Sequence, residues 1–143
     1  MGLGNRLMMD DGIGVAVVEL LAKAADGVRY EVAETDFAYA LEVAAEADSV
    51  LIVDAALTGG EPGTVTLLPL ADMAISRPGL SLHQLHFVDL LLQLALPQEG
   101  ALIGITPAQV EFHLGLSDLL QAQLDPIVRR VRSIIDAWRT APG

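Results

Sequence analysis

The 143-residue sequence predicts an α/β fold: a three-layer, mostly parallel (doubly wound) sheet with helices on both faces. Three observations predict it. Short apolar runs alternate along the chain with helix-spaced segments. Val50-Leu51-Ile52-Val53 is apolar without alternation, as expected of a strand buried on both faces. Turn chemistry at Thr58-Gly59-Gly60-Glu61-Pro62-Gly63 and Ser76-Arg77-Pro78-Gly79 punctuates the chain, with no repeat, low-complexity stretch or linker. The length suits one domain over residues 1–143, able to bury about 68–70% of its unfolded surface.

The elements follow in order. Gly2-Leu3-Gly4 reads as a tight turn feeding a helix over Asp10–Ala25. Ile13, Val17, Leu20, Leu21 and Ala24 share one face of that helix, and Gly27 stands just past its end. Val28–Ala33 alternates apolar and polar, which predicts a strand with one buried face. Asp36–Ala47 returns to helical spacing through Ala40, Leu41, Val43 and Ala44. Ser49–Val53 is the buried strand, ending in Asp54. Thr64–Leu68 is a strand, and Leu82–Ala95 a helix with Pro97 just beyond it. Ala101–Thr106 is the last strand. Ser117 caps a long helix to about Arg139, with Leu120, Leu124, Ile127, Val131, Ile134, Ile135 and Trp138 as its buried stripe.

Composition excludes several functions. The formal net charge is −11, from 8 Lys+Arg against 19 Asp+Glu. Such a surface repels phosphate backbones, so no nucleic-acid partner is expected. Arg129, Arg130, Arg132 and Arg139 read as the solvated face and basic end of the last helix. There are 0 cysteines, which rules out disulfides, thiolate metal sites and a cysteine nucleophile, and fits a reducing compartment. No apolar run approaches the ~18 residues of a membrane span, and no basic-then-apolar leader opens the chain. A cytoplasmic, monomeric protein is expected, with a filled core and an apolar groove.

Five places carry candidate chemistry, each with a plain structural alternative. Gly2-x-Gly4 suggests a dinucleotide turn, but the third glycine of that pattern is replaced by Leu7. A tight turn without a ligand explains it equally. Asp10 and Asp11 stand at a helix start, where aspartates ordinarily cap. One cap leaves the second aspartate without a structural duty. Asp54 ends a buried strand, at the edge where open α/β sheets bind ligands; the alternative is a loop cap. His83 enters a helix with His86 one turn on, and surface or capping roles suit both. His113 has no partner visible in the sequence. Together Asp11, Asp54 and His83 offer two carboxylates and an imidazole, a set that binds a divalent transition metal. Spacing alone does not show that they converge.

The order of these motifs resembles a known family. Gly2-x-Gly4-Asn5, Asp10-Asp11-Gly12-x-Gly14, Ile52-Val53-Asp54-Ala55 and His83-Gln84-Leu85 are similar to the nickel–iron hydrogenase maturation endopeptidases. The likeness extends through Glu61-Pro62-Gly63-Thr64 and Leu102-Ile103-Gly104-Ile105-Thr106-Pro107 to Gly115-Leu116-Ser117. It implies a peptidase that removes a C-terminal extension from the hydrogenase large-subunit precursor once nickel is inserted. It also implies that Asp11, Asp54 and His83 bind the metal. That metal is the nickel of the substrate, although another divalent ion can occupy the site. With no cysteine and no Gly-x-Ser-x-Gly elbow, the nucleophile is a water. Asp11 and Asp54 are then the catalytic carboxylates, and Asp10 the helix cap. Either the metal polarises the scissile carbonyl, or it only docks the substrate while the carboxylates work as in an aspartic protease. A small nucleotide-binding module and a non-catalytic adaptor of the hydrogenase subunit are the competing functions.

The chain departs from that family in three places. Asp11 stands where many relatives carry Glu. Ala33-Glu34-Thr35-Asp36 replaces a glycine-rich turn. Only Met1 precedes the glycine turn, where relatives have several β-forming residues. The first strand is therefore expected to be missing, with the natural start upstream or the chain truncated, and the domain weakened by exposed inner edges.

Overall fold

The computed structural model describes residues 1–73, 80, 82–94 and 99–142, without the side chains of 82, 83, 85 and 86. The expected turn at 76–79, the end of the fourth helix at Ala95, and Pro97 lie outside the described residues. The expected architecture is present. Five strands form one sheet: β1 (Gly2–Leu3), β2 (Val32–Glu34), β3 (Ser49–Ala55), β4 (Val65–Pro69) and β5 (Glu99–Ile105), in the order β2-β1-β3-β5-β4. All neighbours run parallel except β4, which is antiparallel to β5. The nine residues 56–64 that join β3 to β4 explain this exception. A parallel crossover needs about a dozen residues or more, so the chain leaves β3 at its carboxyl end and turns straight back.

Helices α1 (Ile13–Leu21), α2 (Phe37–Ala45), α3 (Leu70–Met73), α4 (Leu82–Gln93), α5 (Asp118–Ala122) and α6 (Leu124–Thr140) cover both faces. The period of two in β3 and β5 divides the core between them. Val50, Ile52 and Leu102 join Ala40, Ala44, Leu70, Phe87 and Leu91 on the face covered by α2, α3 and α4. Val53, Ala55, Ile103 and Ile105 join Ile13, Val17, Leu21, Val131 and Ile135 on the face covered by α1, α5 and α6. Phe37 stacks on Phe87 with ring centroids 5.4 Å apart, fastening α2 to α4.

Several boundaries differ from expectation. The first helix is in two parts: a 3-10 turn at Met9–Gly12, then α1. The last helix is broken at Gln123, three residues before Pro126. Proline has no N–H to continue a helical ladder, so it starts a new helix in its first turn. Ser117 does cap α5, its hydroxyl accepting from Leu120 N at 3.3 Å.

The first strand, expected to be missing, is present as two residues. Gly2 pairs with Val32 on one side and Val53 on the other, while Val53 N donates to Met1 O at 2.8 Å. The Met1 ammonium donates to Leu51 O at 2.8 Å. Residues 28–31 lie outside any strand, and β2 covers only Val32–Glu34. A cavity of about 290 Å³ lies beside them, lined by Met1, Leu21, Tyr30, Leu51, Val53 and Trp138.

Candidate active site

Close backbone approach builds the site. A Cβ on Gly14 would stand 2.1 Å from Val53 O, and one on Gly2 would stand 2.9 Å from Gly14 O. Only glycine lets α1 lie this close to β1 and β3. Gly4 adopts φ 127°, where a Cβ would meet Asp11 O at 2.0 Å. The glycine turn therefore serves to fold residues 9–12 onto the carboxyl edge of the sheet, and no ligand is needed to account for it. Asn5 N donates to Asp11 Oδ2 at 2.8 Å, which fixes that carboxylate above the edge.

Asp11 and Asp54 line one pocket of about 470 Å³, with Gly4, Asn5, Glu34 and Gln84. Asp54 is 5% exposed at the end of β3. Its Oδ1 accepts from Ala55 N at 2.7 Å and its Oδ2 from Gln84 Nε2 at 2.8 Å. The same Gln84 amide also donates to Ala55 O. Burial pushes the Asp54 carboxyl up to about 7, against the Gln84 hydrogen bond; the nearby charge of Asp11 adds to the rise. Among the described residues, no Lys or Arg lines this pocket, and Arg6 pairs with Glu34 at its edge.

His83 falls in the first turn of α4, beside Gln84 in sequence, and its side chain lies outside the described residues. The same holds for His86. Among the described residues, no group of three or more His, Asp or Glu side chains stands together as a metal site. His113 is exposed, and its backbone bridges to Met8.

Asp10 is not the helix cap. The N-cap of the 3-10 turn is Met8, and no side chain caps it. Asp10 is instead fully buried and accepts four hydrogen bonds from a segment about a hundred residues away. Ala108 N and Gln109 N reach Oδ2 at 2.9 Å, Ser117 Oγ reaches Oδ2 at 2.7 Å, and Ser117 N reaches Oδ1 at 2.7 Å. Separations of 98 to 107 residues leave no local pattern to reveal this bond set. Gln84 and Glu34 were also missed. Gln84 has one signal, its place next to a candidate histidine. Glu34 ends β2 with φ 54°, rare outside glycine, in the segment that departs from the glycine-rich turn.

Comparisons with known proteins agree with the resemblance. Residues 15–134 match the family model HycI, hydrogenase maturation protease. The hydrogenase 2 maturation protease of Escherichia coli K12 is 31% identical over 140 residues, covering 92% of this chain and 85% of that protein. The hydrogenase expression/formation protein HoxM of Azotobacter vinelandii is 34% identical over 139 residues, covering 90% of this chain and 67% of that protein. This chain spans about two thirds of the Azotobacter proteins that it matches. The solved structure of the hydrogenase maturating endopeptidase HybD from E. coli superposes with a TM-score of 0.77 at 29% identity, covering 94% of this chain and 89% of that one. The chain belongs to the hydrogenase maturation protease family.

Proposed function

We propose that this chain is an endopeptidase that cuts a C-terminal extension from the large-subunit precursor of a nickel–iron hydrogenase after nickel insertion. The observation that carries the reading is the pair Asp11 and Asp54 in one pocket at the carboxyl edge of the sheet. Family membership supplies the reaction class, and the pair supplies groups suited to it. With no cysteine in the chain, water is the nucleophile. A carboxyl that titrates near 7 holds a proton in about half the molecules at neutral pH, which suits proton transfer. Asp11 takes a proton from the attacking water. Asp54 gives one to the amide nitrogen as the C–N bond breaks. Two adjacent carboxyls sharing one proton are the working arrangement of aspartic proteases.

The nickel is substrate-borne in this reading, held by the precursor. It docks the precursor beside the pair, with His83 among its expected ligands, while the two carboxyls carry the proton transfers. No described helix is long and apolar enough to cross a membrane. We place the protein in the cytoplasm as a monomer, where the precursor is processed.

Incubation with nickel-loaded precursor, followed by mass measurement, tests the reading. Loss of one discrete C-terminal fragment is expected. Asp11→Ala and Asp54→Ala should each slow it about a hundred- to ten-thousand-fold. A precursor of unchanged mass, or variants that cut like the unaltered enzyme, would overturn it.

A further inference from the structure

Apolar side chains stand exposed on two tied segments, one of which reaches the pocket at Val110, and the proposed chemistry does not use them. Phe112 is 81% exposed, Leu114 71%, Val110 53% and Leu7 50%. Exposed hydrophobic residues scattered singly need no explanation. These four lie on two segments tied together at the Met8–His113 bridge. Their exposure does not come from fraying. His113 N donates to Leu7 O at 2.9 Å, Met9 N to His113 O at 3.0 Å, and Asp10 N to Gln109 O at 3.1 Å. The buried Asp10 carboxylate clamps both ends of the segment, at Ala108 and Gln109 and again at Ser117. A rigid backbone thus holds apolar side chains out in water, as interaction surfaces do.

Two further observations name the occupant. Val110 joins the segment to the pocket, whose wall it lines with Met8 next to Asp11 and Asp54, while Leu114 lines a neighbouring hollow with Met9 and Arg6. Its surroundings are acidic on balance: Glu111 is exposed within the segment, Asp11 borders the pocket, the one arginine beside Leu7, Arg6, is shared between Glu19 and Glu34, and the chain carries a net −11. We propose that Leu7, Val110, Phe112 and Leu114 form the docking surface for the precursor, taking an apolar stretch of it, flanked by basic side chains, next to the scissile bond. This rests on the endopeptidase reading. Asp10 is then a positioning residue, holding the surface in register with the catalytic pair.

Steady-state cleavage of the precursor by the full chain tests the surface. The double variant Phe112→Ser/Leu114→Ser is expected to raise KM about tenfold or more and to leave kcat within about twofold. Its melting temperature should not fall, because both side chains are exposed. Leu94→Ser, on an exposed residue just past α4, should leave both constants unchanged. An unchanged KM in the double variant overturns the docking surface while leaving the endopeptidase standing. If the unaltered chain cuts nothing, the endopeptidase reading fails first. Binding then decides the surface: the precursor is titrated with Asp54→Ala, with and without the double substitution. A tenfold weaker Kd with the substitution supports docking, and equal Kd values overturn it.

Discussion

The two ends of β1 are built differently. At the carboxyl end, Gly4 and Asn5 turn toward Asp11, and polar groups are buried with partners. Asp10 takes four hydrogen bonds and Asp54 takes two. At the amino end, one ammonium donates to Leu51 O beside a cavity of about 290 Å³. The same two-residue strand is therefore dense where it positions chemistry and open where it only completes the sheet. The ends also titrate in opposite senses. Burial pushes the Met1 amine down to about 5, against the charge of Glu31, and pushes Asp54 up to about 7. At both ends burial outweighs the partners: Glu31 at the amine, and the Gln84 and Ala55 hydrogen bonds at Asp54.

These shifts fix the signs of the pH dependence. The carboxylate of Asp54 is disfavoured in the fold, so its contribution is full below about pH 4 and is lost as pH rises through 7. The charged amine of Met1 is likewise disfavoured, so its contribution is full above about pH 8 and is lost as pH falls toward 5. The two trends oppose each other between pH 5 and 7. Asp54→Asn removes one of them. We expect the variant to gain on the order of 4 kcal/mol relative to the unaltered chain between pH 4 and pH 8. Chemical denaturation at the two pH values measures it, and parallel shifts in both proteins would refute it.

The next effect belongs to Asp10. Asp10→Ala leaves three backbone N–H groups and the Ser117 hydroxyl without their acceptor. A loss of about 3 kcal/mol is expected, with the 108–117 segment released first in hydrogen exchange. A stability within about 0.5 kcal/mol of the parent would mean that water replaces the carboxylate. A smaller gain is expected at the opposite end. Val18→Ile, whose added methyl enters the wall of that cavity, fills part of it. Stability should rise by roughly 1 kcal/mol, and an unchanged melting temperature would show the cavity to be harmless. A change of the same size is expected at Trp138, whose indole donates to Ser49 Oγ at 2.8 Å. Trp138→Phe should cost about 1 kcal/mol in the same melting assay.

How much of this was legible follows the same division. The position of Asp54 was legible because an apolar run ending in a carboxylate places that group at the carboxyl edge of the sheet, where it lines the pocket. Asp11 was chosen over Asp10 by the resemblance alone, which placed it in the pocket that it does line, while the cap assigned to Asp10 was wrong. Asp10 binds Ala108, Gln109 and Ser117, and nothing within a helical turn of it announces such partners. The overlong strand at Val28–Ala33 failed for a different reason. Its alternation is real, but a strand exists only opposite a partner, and only Val32–Glu34 is paired, against β1. The break at Gln123 was readable from Pro126, had the proline been weighed against the continuous apolar stripe.

The central claim is that a buried, proton-holding Asp54 shares a pocket with Asp11. The most direct measurement is the carbon-13 shift of the Asp54 carboxyl followed from pH 3 to pH 9, assigned by its loss in Asp54→Asn. A midpoint near 7, falling when Asp11→Asn removes the neighbouring charge, is the expected result. A midpoint in the ordinary carboxylate range near 4, unmoved by Asp11→Asn, would contradict the account.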